Sequence, residues 1–151
     1  MPTRPKFGNV VLCEHVIPGG GNKHSLINVF AGDLLLPQFP AKLGLGFYAE
    51  YYPKDASDGK MTLELRINKK TFARIEVAFE RYREGAPGII AISFFELNVE
   101  QETQLEIFSR PVTGKAALIL RKNILMAPSS ALPSVGSDSN RKKKSSDASF
   151  K

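Results

Sequence analysis

Val10–Phe30 reads VVLCEHVIPGGGNKHSLINVF and decides the fold. It holds two alternating runs, Val10–Ile17 and His24–Phe30, joined by Pro18-Gly19-Gly20-Gly21-Asn22-Lys23. Alternation of apolar and polar residues gives a segment one dry face and one wet face, which is the signature of a half-buried strand. Glycines between the runs supply positive φ at little steric cost, so the stretch predicts a hairpin with a loose loop. An antiparallel β protein follows from this element. Its function does not.

The same pattern continues downstream. Ala31-Gly32-Asp33 interrupts it before Leu34-Leu35-Leu36, which predicts a bulge or bend where the chain changes sheet. Pro37-Gln38-Phe39-Pro40 predicts a loop, because two prolines remove donors and fix φ. Leu43, Leu45, Phe47, Ala49 and Tyr51 then alternate with Gly44, Gly46, Tyr48, Glu50 and Tyr52, a third strand whose glycines imply a close neighbour or a bend. After a polar turn at Pro53–Lys60, Met61–Ile67 gives the cleanest alternation in the chain. Asn68-Lys69-Lys70 turns the chain into a fifth strand over Ala73–Phe79, and Arg81–Pro87 reads as a loop.

Gly88–Val99 is more uniformly apolar, which predicts a central strand covered on both faces. Gln104–Arg110 and Lys115–Lys122, with Thr113-Gly114 as a tight turn between them, complete eight strands, and Ile124–Ala127 ends the pattern. Short, evenly spaced strands without helical periodicity predict an all-β, antiparallel two-sheet sandwich; a small closed barrel is the alternative.

The chain has 151 residues, enough for one domain with a real core, and 42% of them are hydrophobic. The domain is expected over residues 1–126. Residues 127–151 turn to Ser, Asp, Lys, Pro and Gly, and so little apolar area cannot offset ordering entropy, so a disordered basic tail is expected there. The formal charge is +6, and Arg141, Lys142, Lys143, Lys144 and Lys151 against Asp138 and Asp147 place half of that excess in the tail. The basic balance therefore says little about what the domain binds.

The single cysteine, Cys13, excludes an intramolecular disulfide framework. One Cys and two His cannot fill four zinc positions without carboxylates, so no metal or other cofactor is expected. MPTRPKFGNV has no apolar signal run, and no stretch approaches the ~18 apolar residues of a spanning helix. A protein of a reducing cytoplasm, with no membrane association, is the expectation.

Cys13-Glu14-His15 is the one local grouping that suggests nucleophilic chemistry. Strand geometry places Cys13 and His15 on one face and Glu14 on the other. A thiol–imidazole pair also needs an orienting group and an oxyanion site, and no second motif supplies them. The alternative is a thiol packed as a small hydrophobe. Glu14 shares its face with Leu12 and Val16, so a partly enclosed carboxylate is expected, with Lys23, His24 or Ser25 as partner across the hairpin. Glu14, Lys23 and His24 thus form a possible polar site, or a pair that fixes register.

Gly19-Gly20-Gly21 is not a phosphate cradle, since strand and not a Lys-Ser/Thr helix start follows it. Gly44-x-Gly46 lies inside a strand and carries no dinucleotide signal. Tyr48, Tyr51, Tyr52 and Phe47, near Lys42 and Lys54, are a candidate aromatic–basic face for single-stranded nucleic acid, or inter-sheet core with an exposed edge. Arg141-Lys142-Lys143-Lys144 offers at most weak, sequence-independent contact with nucleic acid through counterion release. No paired acid–base arrangement appears, so the reading leans away from an enzyme.

The order Leu12-Cys13-Glu14, a Gly-rich turn with Lys23, Ser25-Leu26-Ile27-Asn28-Val29-Phe30, then Pro37-Gln38-Phe39-Pro40, resembles a group of small bacterial proteins of unknown function, the DUF6941 type. In that group a "CE", a "GK-x-x-I-x-G-hydrophobic" and a "P-x-F/P" segment recur in this order. The resemblance covers about Val10 to Ala49, with a looser correspondence to about Lys122. Asn28 stands where the group has Gly, and the Pro-Gly-x-Tyr turn expected around Gln101–Leu105 is missing. The resemblance implies a β-sandwich and no catalytic residues. Three functions stay open: a non-catalytic interaction or assembly module partnered by itself or another protein, a nucleic-acid-associated protein, and a small-molecule or sugar-binding enzyme with Glu14 and a histidine in a deep pocket.

Overall fold

A computed structural model describes residues 6–52, 60–78, 86–112 and 114–129. Among these residues nine strands follow one another: β1 (Lys6–Pro18), β2 (His24–Val29), β3 (Leu34–Leu36), β4 (Ala41–Tyr52), β5 (Lys60–Ile67), β6 (Lys70–Ala78), β7 (Gly88–Val99), β8 (Thr103–Pro111) and β9 (Ala117–Met126). They form two open sheets, in the orders β2-β1-β4-β7 and β3-β9-β8-β5-β6. The sandwich is the architecture, and neither sheet closes into a barrel. The chain changes sheet after β2, as Ala31-Gly32-Asp33 implied.

The core is the sum of the alternating inward positions. Leu43, Leu45, Phe47, Ala49 and Tyr51 of β4 face Met61, Leu63 and Leu65 of β5 and Leu105 and Ile107 of β8. Each fully buried Leu or Phe contributes about 1.5–3 kcal/mol relative to exposure, so these positions dominate the stability of the domain. The β5–β6 hairpin turns on Asn68 and Lys69, both at positive φ (47° and 65°), as a two-residue primed turn requires.

Three expectations are corrected. Leu34–Leu36 is a ninth strand, paired parallel to β9, so the sandwich is antiparallel except at one short edge. Gly88–Val99 is, among the described residues, an edge strand bonded to β4 alone, and its apolar outward residue Phe94 is half exposed. Ile124–Ala127 continues the sheet instead of ending it: Ile124 is fully buried, and the Ala127 amide donates to the Leu36 carbonyl at 2.7 Å. The expected turns at Pro53–Lys60, Arg81–Pro87 and Thr113-Gly114 fall wholly or largely outside the described residues, as does all but the first few residues of the expected tail.

β1 serves two partners in succession. From Lys6 to Cys13 it pairs with β4, and from Cys13 to Pro18 with β2. Beyond Cys13 it lies across the outer face of β4. A Cβ added to Gly46, which points outward between inward Leu45 and Phe47, would stand 3.0 Å from the Val16 amide nitrogen and 3.1 Å from the His15 carbonyl carbon. Val16 is fully buried there although it is not part of the inter-sheet core. Glycine is what lets the hairpin fold down so closely.

Candidate functional site

The hairpin separates the residues that sequence alone grouped. Cys13 is fully buried, and its thiol donates to the His15 carbonyl at 3.3 Å and to the Gly46 carbonyl at 3.6 Å. Burial pushes the thiol pKa above its ordinary value of 9.0, the reverse of what a nucleophile needs. The His15 ring is exposed and packs against Phe94, centroids 5.9 Å apart, so its backbone and not its imidazole meets the sulfur. The arrangement packs a cysteine. It does not activate one.

Glu14 is exposed, which corrects the expectation of an enclosed carboxylate. Asn28, opposite it across the hairpin, donates Nδ2–H to its Oε2 at 2.6 Å. Lys23 stays exposed in the turn, where its carbonyl accepts from the Gly19 amide at 2.6 Å. His24 is half-buried against Tyr48, ring centroids 5.5 Å apart, and its buried Nδ1 has no hydrogen-bond partner. Glu14 meets Asn28 and His24 meets Tyr48, and no hydrogen bond or ion pair among the described residues joins Glu14, Lys23 and His24 to one another.

The aromatic–basic face is also divided. Phe47 and Tyr51 are fully buried, Tyr51 against Phe7 at 5.1 Å. Tyr48 and Tyr52 lie on the outer face, and both hydroxyls donate to Glu50, at 3.5 and 3.2 Å. Burial, then the Glu50 charge, raises the Tyr48 pKa; the hydrogen bond to Glu50 raises that of Tyr52. Lys42, at the other end of the strand, pairs with Glu96 at 3.3 Å. Lys54 and Arg141–Lys144 lie outside the described residues. Among the described residues this face sets Tyr48 and Tyr52 around Glu50, with Lys6 opposite Tyr52 and Lys42 at the far end of the strand.

A polar cluster on the outer face of the other sheet has no signature in the alternation pattern. Glu64, on β5, is 4% exposed in its side chain and takes three guanidiniums. Arg66 Nη2 donates to Oε2 at 2.8 Å, Arg110 Nε donates to Oε1 at 3.1 Å, and Arg74 Nε stands 3.6 Å from Oε1. The Arg66 hydrogen bond, ahead of that from Arg110, holds the Glu64 carboxyl below its ordinary range in spite of burial. Arg66 also stacks on Phe108, guanidinium carbon 4.1 Å from the ring centroid. Nearby, Arg121 donates Nε–H and Nη2–H to Glu106 Oε1 at 3.0 and 2.7 Å. Each of these residues reads in sequence as the wet half of an alternation; only register across β6, β5, β8 and β9 brings them together.

Among the described residues no three His, Cys, Asp or Glu side chains cluster in a way that could hold a metal ion, and no helix is long and apolar enough to cross a membrane. Compared with protein-family models, with curated proteins and with solved structures, the chain matches none.

Proposed function

We propose that this protein is a non-catalytic interaction module, and that it associates with a second copy of itself through the free edge of β2. The observation that carries this reading is the state of the four sheet edges. β3 is three residues long, β6 carries Lys70, Arg74 and Glu76, and β7 carries Glu96 and an irregular register opposite Leu45–Phe47. Short length, charge and bulges are the ordinary protections against edge-to-edge pairing. β2, HSLINV, carries no charge, no proline and no register shift against β1, and its one backbone irregularity is Asn28 at φ 50°. It has no second backbone partner among the described residues, and Ile27 and Val29 are 39% and 52% exposed, with Ile17 of β1 at 44%.

Self-pairing suits this edge because two uncharged strands meet without like-charge cost in a chain that is basic elsewhere. A two-fold axis at β2 joins the β1–β2 hairpins of the two copies edge to edge. The proposed kinship with DUF6941-type proteins, which rests on the motifs of Val10–Ala49, agrees with a β-sandwich that has no catalytic set. A cytoplasmic setting belongs to the same proposal and is supported by the lone reduced cysteine.

Light scattering coupled to gel filtration tests the reading. Wild type is expected at twice 16.6 kDa, with the dimer favoured by added salt as the basic copies are screened from one another. Ile27→Lys, at an exposed position, is expected to give a folded monomer. A wild-type chain that stays at 16.6 kDa at every concentration and salt overturns the proposal.

A further inference from the structure

Charge is divided unevenly between the two layers. The strands β1, β2, β4 and β7 carry two basic side chains, Lys6 and Lys42, against Glu14, Glu50 and Glu96. β5, β6, β8 and β9 carry seven basic side chains against Glu64, Glu76 and Glu106. The inward positions of those strands are apolar, so the arginines gather on the outer face.

At Glu64 that excess becomes local. Three guanidiniums lie within 3.6 Å of one carboxylate, which neutralises one of the three charges. Like charges held this close repel, and an anion that bridges them removes the cost. Glu64 and Glu106 fix their arginines from below while Arg74, Arg110 and Arg121 remain 68%, 47% and 53% exposed in their side chains. The donors are therefore in place before any ligand arrives, which lowers the ordering cost of binding.

The occupant follows from what lies between the arginines. A guanidinium fork fits phosphate oxygens. Phe108 lies under Arg66, and Leu118, its register partner on β9, is exposed beside it. The Arg66 guanidinium, stacked on Phe108, is a flat cationic plate of the kind that accepts a stacked base, which an acidic peptide does not have. No helix among the described residues projects from the face to enter a duplex groove. We propose that the outer face of β6-β5-β8-β9 binds single-stranded nucleic acid, with Arg74, Arg110 and Arg121 on the phosphates and the Arg66 guanidinium, stacked on Phe108 and bordered by Leu118, against the bases.

The test is fluorescence anisotropy with a labelled oligothymidylate and the full chain, over a salt series. Arg74→Gln with Arg110→Gln leaves Glu64 paired to Arg66, and circular dichroism verifies the fold. This variant is expected to bind about tenfold more weakly at low salt. Its log–log salt slope should be shallower by about 1.4, at roughly 0.7 per phosphate contact. Lys6→Gln with Lys42→Gln, on the other sheet, should bind as wild type. Replacing Arg141, Lys142, Lys143 and Lys144 with serine should leave the effect of the arginine pair intact. Binding unchanged by the arginine pair, binding abolished by the serine replacements alone, or displacement of the oligonucleotide by polyglutamate at equal charge each overturns the proposal.

Discussion

Gly46→Ala isolates the closeness with which the β1–β2 hairpin lies on the first sheet. The added methyl would stand 3.0 Å from the Ser93 carbonyl oxygen, 3.0 Å from the Val16 amide nitrogen and 3.1 Å from the His15 carbonyl carbon. Comfortable carbon contacts begin at about 3.5 Å, so each neighbour must give by roughly 0.5 Å. All three atoms belong to backbone, and they come from β1 on one side and β7 on the other. Relief therefore means moving strands, not rotating a side chain. Overpacking of this kind costs about 1–3 kcal/mol, while the stiffer unfolded chain returns about 0.4–1 kcal/mol. A net loss near 1–2 kcal/mol lowers the midpoint of thermal unfolding by about 2–8 °C in a domain of this size.

Gly44→Ala is the control, and it has the larger overlap. Its methyl would stand 2.4 Å from Phe94 Cε2 and 2.9 Å from Cζ. The obstacle is one ring, 49% exposed, which can swing into solvent by rotation about χ1. The expected order in urea and thermal denaturation is wild type and Gly44→Ala together, with Gly46→Ala clearly below. Equal stability of Gly46→Ala and wild type, or Gly44→Ala as the weaker of the two, refutes the account of the folded-over hairpin.

Two further predictions concern ionisable groups. Glu64 has a folded pKa below its unfolded value near 4.5, so its contribution is complete above that value and fades as pH falls through the folded pKa. Glu64→Gln should cost about 2 kcal/mol or more at neutral pH. That deficit should shrink on acidification, as followed by urea midpoints; a pH-independent deficit would contradict the ion-pair account. Cys13, buried and with its thiol pKa raised, should react with an aromatic disulfide reagent only as fast as the protein unfolds. Rapid labelling of the native chain would show an accessible thiol instead.

The strands themselves were legible because alternation is a local signal. Met61, Leu63 and Leu65, or Leu43, Leu45 and Phe47, announce an inward face without reference to any neighbour. What failed needed neighbours. Gly88–Val99 looked central because Phe94 adds an apolar residue to its wet side, yet that ring lies over the space left by Gly44, and no reading of one strand reveals a glycine on the next. Leu34–Leu36 is too short to alternate, and its parallel pairing with β9 joins residues about 90 apart. The packed thiol at Cys13 was legible as one of two readings, and what decided it is the change of partner at Cys13, which buries the sulfur against Gly46 while the His15 ring meets Phe94. Glu64 meets Arg110 across 46 residues of sequence. Such a site becomes visible only once register is known.

The two proposals meet in the symmetry of the edge. A two-fold axis perpendicular to the joined hairpins keeps both arginine-bearing sheets on the same side of them, since the axis exchanges copies without exchanging faces. Both arginine faces then point in one direction, and a single strand of nucleic acid long enough to span them engages two sites at once. Linked sites gain affinity without any new contact, so pairing through β2 would make the weak, solvent-screened arginines of one face effective as a pair. Salt acts on the two steps in opposite senses. It screens the repulsion between basic copies and so favours the edge contact, and it competes for the phosphates and so weakens the face. The strongest binding of a long single strand therefore falls at intermediate salt, where the copies are still joined and the phosphates are still held.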